Sequence, residues 1–120
     1  MLREALEGSG VDTSLVKTSA SSTGHAVIQV NRQGQNCIII AGGANQDITE
    51  EDIQQAISQF GPGDILLLQN EISNIPILLQ LGRRQGMYIV FNPSPVTSSL
   101  LEYPLECVDQ IGRASCRERV

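Results

Sequence analysis

One acidic residue, Glu71, stands at a position where the sequence favours ligand binding. It follows a continuous apolar run, residues 65–68, which has the length of a buried strand, with Gln69 and Asn70 between them. Parallel sheets bind ligands beyond the carboxyl ends of their strands, and a carboxylate there can accept hydrogen bonds from two hydroxyls of a polyol. The same position also fits an ordinary solvated acid in a loop. We therefore take Glu71 as a candidate for binding hydroxyls and keep that alternative open.

The other residues capable of chemistry give weaker signals. His25 is the only histidine, which excludes a histidine-based metal cluster within the chain and predicts a surface residue rather than a catalytic base. Gly42 and Gly43 are able to present backbone N–H groups to an anion, although a turn after a strand is the favoured interpretation. Asn92-Pro93 likewise favours a strand-terminating turn. The sequence contains no P-loop, no G-x-G-x-x-G motif and no G-x-S-x-G elbow.

Composition excludes several classes of protein. The 120 residues carry a net charge of −5 and no Trp, which argues against a nucleic-acid surface with clustered cations and stacking rings. No apolar run approaches the roughly 18 to 20 residues of a membrane span, and the N-terminus lacks the apolar region of a secretory signal. Cys37, Cys107 and Cys116 share no close spacing. They are expected to be free thiols in a reducing cytoplasm.

Two β-favouring runs predict a hairpin that precedes Glu71 in the sequence. Residues 25–30 and 36–41 flank a five-residue loop that contains a glycine. Pairing about the loop sets Ala26 opposite Ile40 and Ile28 opposite Ile38, all on one face. The other face, which includes Val27 and Ile39, is also apolar. A ribbon that is apolar on both sides does not stand alone in water, so we expect one face to cover the body or a ligand and the other to meet a second subunit.

After the hairpin the hydrophobic period changes to that of a helix. Thr49 is a predicted N-cap, and apolar residues then recur at helical spacing, which predicts one buried stripe: Ile53, Ala56, Ile57 and Phe60. The apolar run 65–68 predicts a strand covered on both faces. Asn74 is expected to cap a second helix that stops at Gly86.

The remaining elements continue the alternation. Residues 87–91 predict a short strand, residues 98–102 a weak helical stretch, and Cys107-Val108 the start of another strand. Strands and helices alternate at βαβ spacing, which indicates a parallel sheet with right-handed crossovers. The fold class is therefore α/β, with parallel βαβ layers and a projecting β-hairpin.

Four segments in order resemble landmarks of the ribokinase-like carbohydrate kinases, the phosphofructokinase B type. Residues 23–34 and Gly43-Ala44-Asn45 resemble the lid hairpin of that family, and residues 67–71 and 91–95 resemble two later landmarks. Each segment alone is weakly specific, but their order from about residue 11 to residue 109 makes the resemblance specific.

The resemblance implies an ATP-dependent kinase that phosphorylates the terminal hydroxyl of ribose, using Mg²⁺ and a monovalent cation, K⁺. Glu71 matches the sugar-binding glutamate of the family, and Ala26 and Ile38 match apolar lid positions against the sugar. The outer face of the hairpin matches the family's dimer contact. The implied protein is thus a cytoplasmic homodimer, joined through its lid hairpins, that binds ribose or a related sugar.

Other family segments have no counterpart in this sequence. The early glycine-rich sugar-binding segments, the nucleotide loops and the motif with the catalytic aspartate are missing. We therefore expect a partial kinase domain over residues 1–110, with its lid hairpin at about 23–41 and its βαβ part at about 46–110. Alone, this segment is expected to be inactive.

The last ten residues differ in composition from the rest. Residues 111–120 hold three arginines and one glutamate, whereas residues 1–110 hold five basic and twelve acidic residues. The string resembles a translated sequencing adapter, and we expect an artefactual tail. Two alternatives to a ribose kinase stay open: a kinase of the same family acting on another sugar or a nucleoside, and a non-catalytic α/β dimerisation or binding module.

Overall fold

The chain forms a β-hairpin and then alternates strands with helices. The computed structural model describes residues 2–112. In chain order the helices and strands are α1 (Leu2–Gly8), β1 (His25–Val30), β2 (Asn36–Ala41), α2 (Glu50–Ile57), β3 (Ile65–Gln69), α3 (Ile75–Arg84), β4 (Tyr88–Asn92) and β5 (Gln110–Ile111). Short 3₁₀ helices span Gly43–Gln46, Ser98–Glu102 and Leu105–Cys107. The weak helical stretch predicted over residues 98–102 is thus a 3₁₀ helix.

The hairpin register is the predicted one. β1 and β2 are antiparallel, with Ala26 opposite Ile40 and Ile28 opposite Ile38. Every residue of both strands is exposed, so the hairpin projects away from the core. Its loop is organised by Asn31, whose Oδ1 accepts hydrogen bonds from the backbone N–H groups of Gln33 at 3.0 Å and Gln35 at 2.9 Å.

Helix α2 begins at the predicted cap. The Thr49 side chain accepts a hydrogen bond from the backbone N–H of Asp52, and the Asp52 carboxylate accepts one from the N–H of Thr49, which completes a capping box. Ile53 and Ile57 are buried in the core. The prediction for Phe60 is wrong, since its side chain is 40% exposed. The helix ends at Ile57, so Phe60 lies beyond the stripe that faces the core.

The three-stranded sheet is parallel, as the βαβ alternation predicts. Its strand order is β3-β4-β5, with Leu66 beside Ile89 and Leu68 beside Phe91. Helix α3 packs closely on the face of the sheet that carries Leu66 and Ile89. The close contact is seen at Gly82, where an added Cβ would lie 2.6 Å from a methyl group of Leu66. The buried core combines this face with the two helices: Ile53, Ile57, Leu68, Ile75, Leu78, Leu79, Met87, Ile89 and Phe91.

The expectation that β3 is covered on both faces is wrong for the described residues. Ile65 is 67% exposed and Leu67 is 71% exposed, whereas Leu68 is buried. Both α2 and α3 contribute to the core on the Leu68 side, and within residues 2–112 the opposite side of β3 has no covering layer. Its continuous apolar run therefore exceeds what this part of the chain buries.

Asn74 stands at the N-cap of α3 but does not cap it. Its backbone is left-handed, with φ of 61°, and its side-chain amide donates a hydrogen bond to the carbonyl of Ile48 at 2.6 Å instead. The helix ends at Arg84, two residues before Gly86. The second helix is therefore present as predicted, with a tertiary contact in place of a local cap.

The further strand predicted near the end of the chain is present, but its predicted start at Cys107-Val108 is wrong. Cys107 ends a 3₁₀ helix, and the strand begins at Gln110, which pairs with Val90. Ile111 belongs to this strand, and the N–H of Gly112 donates to the carbonyl of Phe91 at 2.8 Å. The first two residues of the expected tail thus continue the sheet, whereas residues 113–120 lie outside the described part of the chain.

Candidate functional site

A cleft opens between the base of the hairpin and the loop that follows β3. Its volume is about 450 Å³. Residues from four segments line it, among them Ala26, Ile40, Gln46, Asn70, Glu71 and Pro95. An apolar wall from the hairpin thus faces a polar floor from the loop, an arrangement that suits a polyol with one carbon-rich face.

Glu71 stands two residues beyond the end of β3 and is exposed on the cleft. Its backbone carbonyl accepts a hydrogen bond from Nε2 of Gln46 at 2.9 Å. Glu71 also lines a second cleft of about 510 Å³, together with Gln69 and Asn92 at the carboxyl ends of β3 and β4. Glu71 therefore lies at the edge of the sheet where the sequence predicts a ligand.

The loop that carries Glu71 is fastened to the segment that follows the hairpin. The backbone N–H of Ser73 donates to the carbonyl of Asn45 at 3.0 Å. The Ser73 hydroxyl donates to the carbonyl of Ile48 at 2.9 Å, and that same carbonyl accepts the Asn74 amide. These bonds join residues about 25 positions apart in sequence, so the loop and the hairpin base keep a defined relative position.

Asn70 ties the other side of the loop to the segment after β4. Its N–H donates to the carbonyl of Asn92 at 3.2 Å, and its side-chain amide donates to the carbonyl of Pro95 at 2.6 Å. Its Oδ1 accepts a hydrogen bond from the Tyr103 hydroxyl at 3.0 Å. The residue next to Glu71 is thus held at its backbone and at both ends of its amide.

Glycines close the base of the hairpin. Gly43 has φ of +50°, and a Cβ there would lie 2.2 Å from the carbonyl oxygen of Ser22. That carbonyl accepts the N–H of Ala44 at 2.8 Å. Gly24 is equally crowded, since a Cβ added there would lie 2.5 Å from the carbonyl oxygen of Gly42 and 2.5 Å from Nδ2 of Asn45. The segment before β1 therefore lies against the segment after β2, and glycine is needed at these positions because a side chain would clash.

The structure brings two of the three sequence candidates together. Ala26 and Glu71 line the same cleft, whereas Ile38 is not among its lining residues. Ile40, which pairs with Ala26, lines the cleft instead. Both isoleucines belong to the predicted face, and Ile40 is the one nearer the hairpin base. The binding roles of Glu71, Ala26 and Ile38 stay predictions.

Sequence reasoning missed Gln46 and Asn70 as cleft residues. Both act through contacts with residues 25 or more positions away, and no local pattern signals such contacts. His25 also lines the cleft, and its Nδ1 lies 3.2 Å from the carbonyl oxygen of Thr23.

The acids with shifted pKa values lie outside this cleft. The hydroxyl of Ser19 lowers the pKa of Asp47, and the Lys17 ammonium lowers the pKa of Asp52 to about 2. The backbone N–H of Ile89 lowers the pKa of Asp109, which also pairs with Arg83 at 3.0 Å. These carboxylates are ionised structural partners at neutral pH.

The described residues form no cluster of acidic, histidine and cysteine side chains for a metal ion. Within residues 2–112 no group of three His, Cys, Asp or Glu side chains is arranged to hold a metal ion. We therefore assign none of them to Mg²⁺ or K⁺.

The helices in the same part of the chain are too short and too polar to cross a bilayer.

Comparison with known proteins identifies the class. The pfkB family of carbohydrate kinases matches residues 1–104, and the chain belongs to this family. Its α/β fold is ribokinase-like. A ribokinase structure from Thermotoga maritima superposes with a TM-score of 0.69 at 32% identity, covering 92% of this chain and 35% of that one. A ribokinase from Cryptococcus neoformans, solved in complex with ADP, gives a TM-score of 0.69 at 29% identity, covering 92% of this chain and 36% of that one.

Individual relatives carry sugar-kinase names. A ribokinase from Haemophilus influenzae is 34% identical over 97 residues, which is 78% of this chain and 32% of the relative. A deoxyribokinase from Salmonella typhi is 31% identical over 106 residues, 85% of this chain and 35% of the relative. The chain thus spans about a third of the length of the curated relatives it matches.

Proposed function

We propose that this chain is part of an ATP-dependent ribokinase and supplies the hairpin and the carboxylate that bind ribose. The observation that carries the proposal is the shared cleft, which Glu71 lines together with the hairpin residues Ala26 and Ile40. The ribokinases among its relatives support the choice of ribose. The lengths of those relatives support a longer protein that contains this chain. We also propose that residues 1–110 are the kinase part of the chain and that residues 111–120 are an added tail.

The proposed role of Glu71 is to orient the sugar. A carboxylate accepts hydrogen bonds from two neighbouring hydroxyls, and bonds to a charged group contribute about 1.5–3 kcal/mol each. Apolar side chains of the hairpin cover the less polar face of the ring and exclude water from it. The chain thus binds and orients the hydroxyl-bearing substrate, and we assign it no residue that transfers phosphate.

The nucleotide and the ions act elsewhere in the proposed protein. ATP supplies the phosphoryl group, and Mg²⁺ and K⁺ assist the reaction by neutralising phosphate charge and activating the enzyme. A neighbour solved with ADP supports the choice of nucleotide. We place the protein in the cytoplasm, where ATP is abundant and the free thiols of Cys37 and Cys107 stay reduced.

The hairpin also provides the proposed subunit contact. Val27 and Ile39 pair on the outer face, opposite the face that carries Ala26 and Ile40. Both are at least half exposed. Two such faces packed together in a homodimer would remove this apolar area from water.

Substrate assays on the full-length protein test the proposal. We expect ATP-dependent phosphorylation of ribose at a higher kcat/KM than of deoxyribose, a ketohexose, a hexose phosphate or a nucleoside. The 120-residue chain alone is expected to give no turnover. Turnover by the chain alone would overturn the partial-domain proposal, and a preference for another substrate would overturn the choice of ribose.

Deoxyribose is the second candidate, because a deoxyribokinase is 31% identical to this chain and covers 85% of it. The two sugars differ by one hydroxyl, and a site that hydrogen-bonds a hydroxyl rejects the analogue that lacks it. A kcat/KM ratio that favours deoxyribose in the same assay would select this candidate.

A further inference from the structure

The side chain of Gln46 links the base of the hairpin directly to Glu71. Gln46 ends the 3₁₀ helix that follows β2, and its Nε2 donates to the carbonyl of Glu71 at 2.9 Å. Both residues line the cleft. We propose that Gln46 is a positioning residue that holds Glu71 in place relative to the hairpin. This inference rests on the proposed function, because it takes Glu71 as the sugar-binding carboxylate.

The backbone around Gln46 supports this role. The N–H of Ser73 donates to the carbonyl of Asn45, so the Glu71 loop is bound to the hairpin base on its C-terminal side. The Gln46 amide adds a bond at Glu71 itself. Without that amide, the backbone hydrogen bonds of Asn70 and Ser73 would remain, but the carbonyl of Glu71 would lose its own bond. The Glu71 carboxylate would then sample a wider range of positions.

Gly42 makes room for the Gln46 side chain. Its backbone angles, φ of −63° and ψ of −39°, are helical and suit any residue, so its conformation does not require glycine. A Cβ at position 42, however, would lie 2.8 Å from Cγ and 3.3 Å from Nε2 of Gln46. A side chain there would push the Gln46 amide away from Glu71. The two positions are therefore coupled.

Substitution of Gln46 in the full-length protein tests the inference. Gln46→Ala removes the donor, and Gln46→Glu keeps the size but places an acceptor against the Glu71 carbonyl. A hydrogen bond contributes about 0.5–1.5 kcal/mol, so we expect both variants to raise the KM for ribose about 3- to 10-fold. The KM for ATP should stay unchanged, and the melting temperature should fall no further than it does in the control variant below. Gln59→Ala is the matched control, since it removes a similar amide-to-carbonyl bond on the surface near the end of α2.

A double-mutant cycle tests the coupling. Gly42→Ala alone should raise the KM for ribose about as much as Gln46→Ala does, because both release the same bond. In the Gln46→Ala background, Gly42→Ala should add little, since the side chain it displaces is already gone. Additive effects would mean that the new methyl group disturbs the sugar directly, and would overturn the proposed role of Gly42.

A spectroscopic readout separates this inference from the proposed function. The Gln46 side-chain amide should exchange with water more slowly than that of Gln33, an exposed side chain in the hairpin loop, and Gly42→Ala should abolish the difference. Equal exchange rates would overturn the bond itself, whichever sugar the protein phosphorylates. If Glu71→Ala raises the KM for ribose and the Gln46 variants do not, the positioning role fails and the proposed function stands. An unchanged KM in Glu71→Ala removes the site on which both rest.

Discussion

The main chain of Glu71 is held more firmly than its side chain. Gln46 binds its carbonyl, and the neighbouring Asn70 is bound at its backbone and at both ends of its amide. Glu71 is exposed, lines the cleft, and has no side-chain hydrogen bond within the described residues. A binding site gains from this combination, because anchoring the backbone beforehand reduces the entropy lost when a ligand binds.

At the residue scale, Gly43 tests the closure of the hairpin base. Gly43→Ala combines left-handed strain of about 1–2 kcal/mol with overpacking of about 1–3 kcal/mol against the carbonyl of Ser22. We expect the free energy of unfolding, measured by urea denaturation of the full-length protein, to fall by about 2–5 kcal/mol. Gly34→Ala is the control, because Gly34 has φ of +79° but no atom within 4 Å of an added Cβ. Equal losses in the two variants would contradict the close contact.

The elements of the fold follow local signals except where a distant contact takes over. The hairpin register and the Thr49 cap were predictable, because cross-strand alternation and helix capping are encoded by neighbouring residues. The Asn74 cap was mispredicted because its amide donates to Ile48, 26 positions away. The candidate site divides in the same way: the place of Glu71 after a strand could be predicted, but its tie to Gln46 could not.

At the element scale, Asp52 should make the start of α2 sensitive to acid. A hydrogen bond from Lys17, followed by those from Thr49, lowers the pKa of Asp52 from 3.8 to about 2. A lowered folded-state pKa means that the ionised carboxylate stabilises the fold above about pH 4 and that this contribution is lost as the pH falls towards 2. Melting temperatures between pH 5 and pH 2 should therefore drop less steeply in Asp52→Asn than in the wild type. Glu51→Gln, on the same helical turn, is the control, and identical curves for wild type and Asp52→Asn would contradict the assignment.

At the scale of the whole molecule, the described residues leave several apolar faces exposed to water. Both faces of the hairpin and one face of β3 are open to water within residues 2–112. The run 65–68 has the composition of a fully buried strand, and the described chain buries only one side of it. The open side of this strand fits the longer protein proposed above, and the Haemophilus influenzae ribokinase is about two and a half times as long as this chain.

At the scale of the molecule, the outer hairpin face should hold the proposed dimer together. Ile39→Lys places a charge in this face and should convert the full-length protein from dimer to monomer, measured by light scattering after size exclusion. Leu101→Lys is the control, because Leu101 is 91% exposed and lies outside the hairpin. A dimer that survives Ile39→Lys would contradict the contact.

Ribose kinetics of Glu71 variants in the full-length protein test the central claim most directly. Glu71→Ala removes the hydrogen bonds to the sugar, and since one such bond contributes about 1.5–3 kcal/mol, the KM for ribose should rise at least about 10-fold. The KM for ATP should change less than twofold, because Glu71 is assigned no contact with the nucleotide. Glu51→Ala, an exposed glutamate on α2, should leave both constants unchanged. An unchanged KM for ribose in Glu71→Ala would contradict the account.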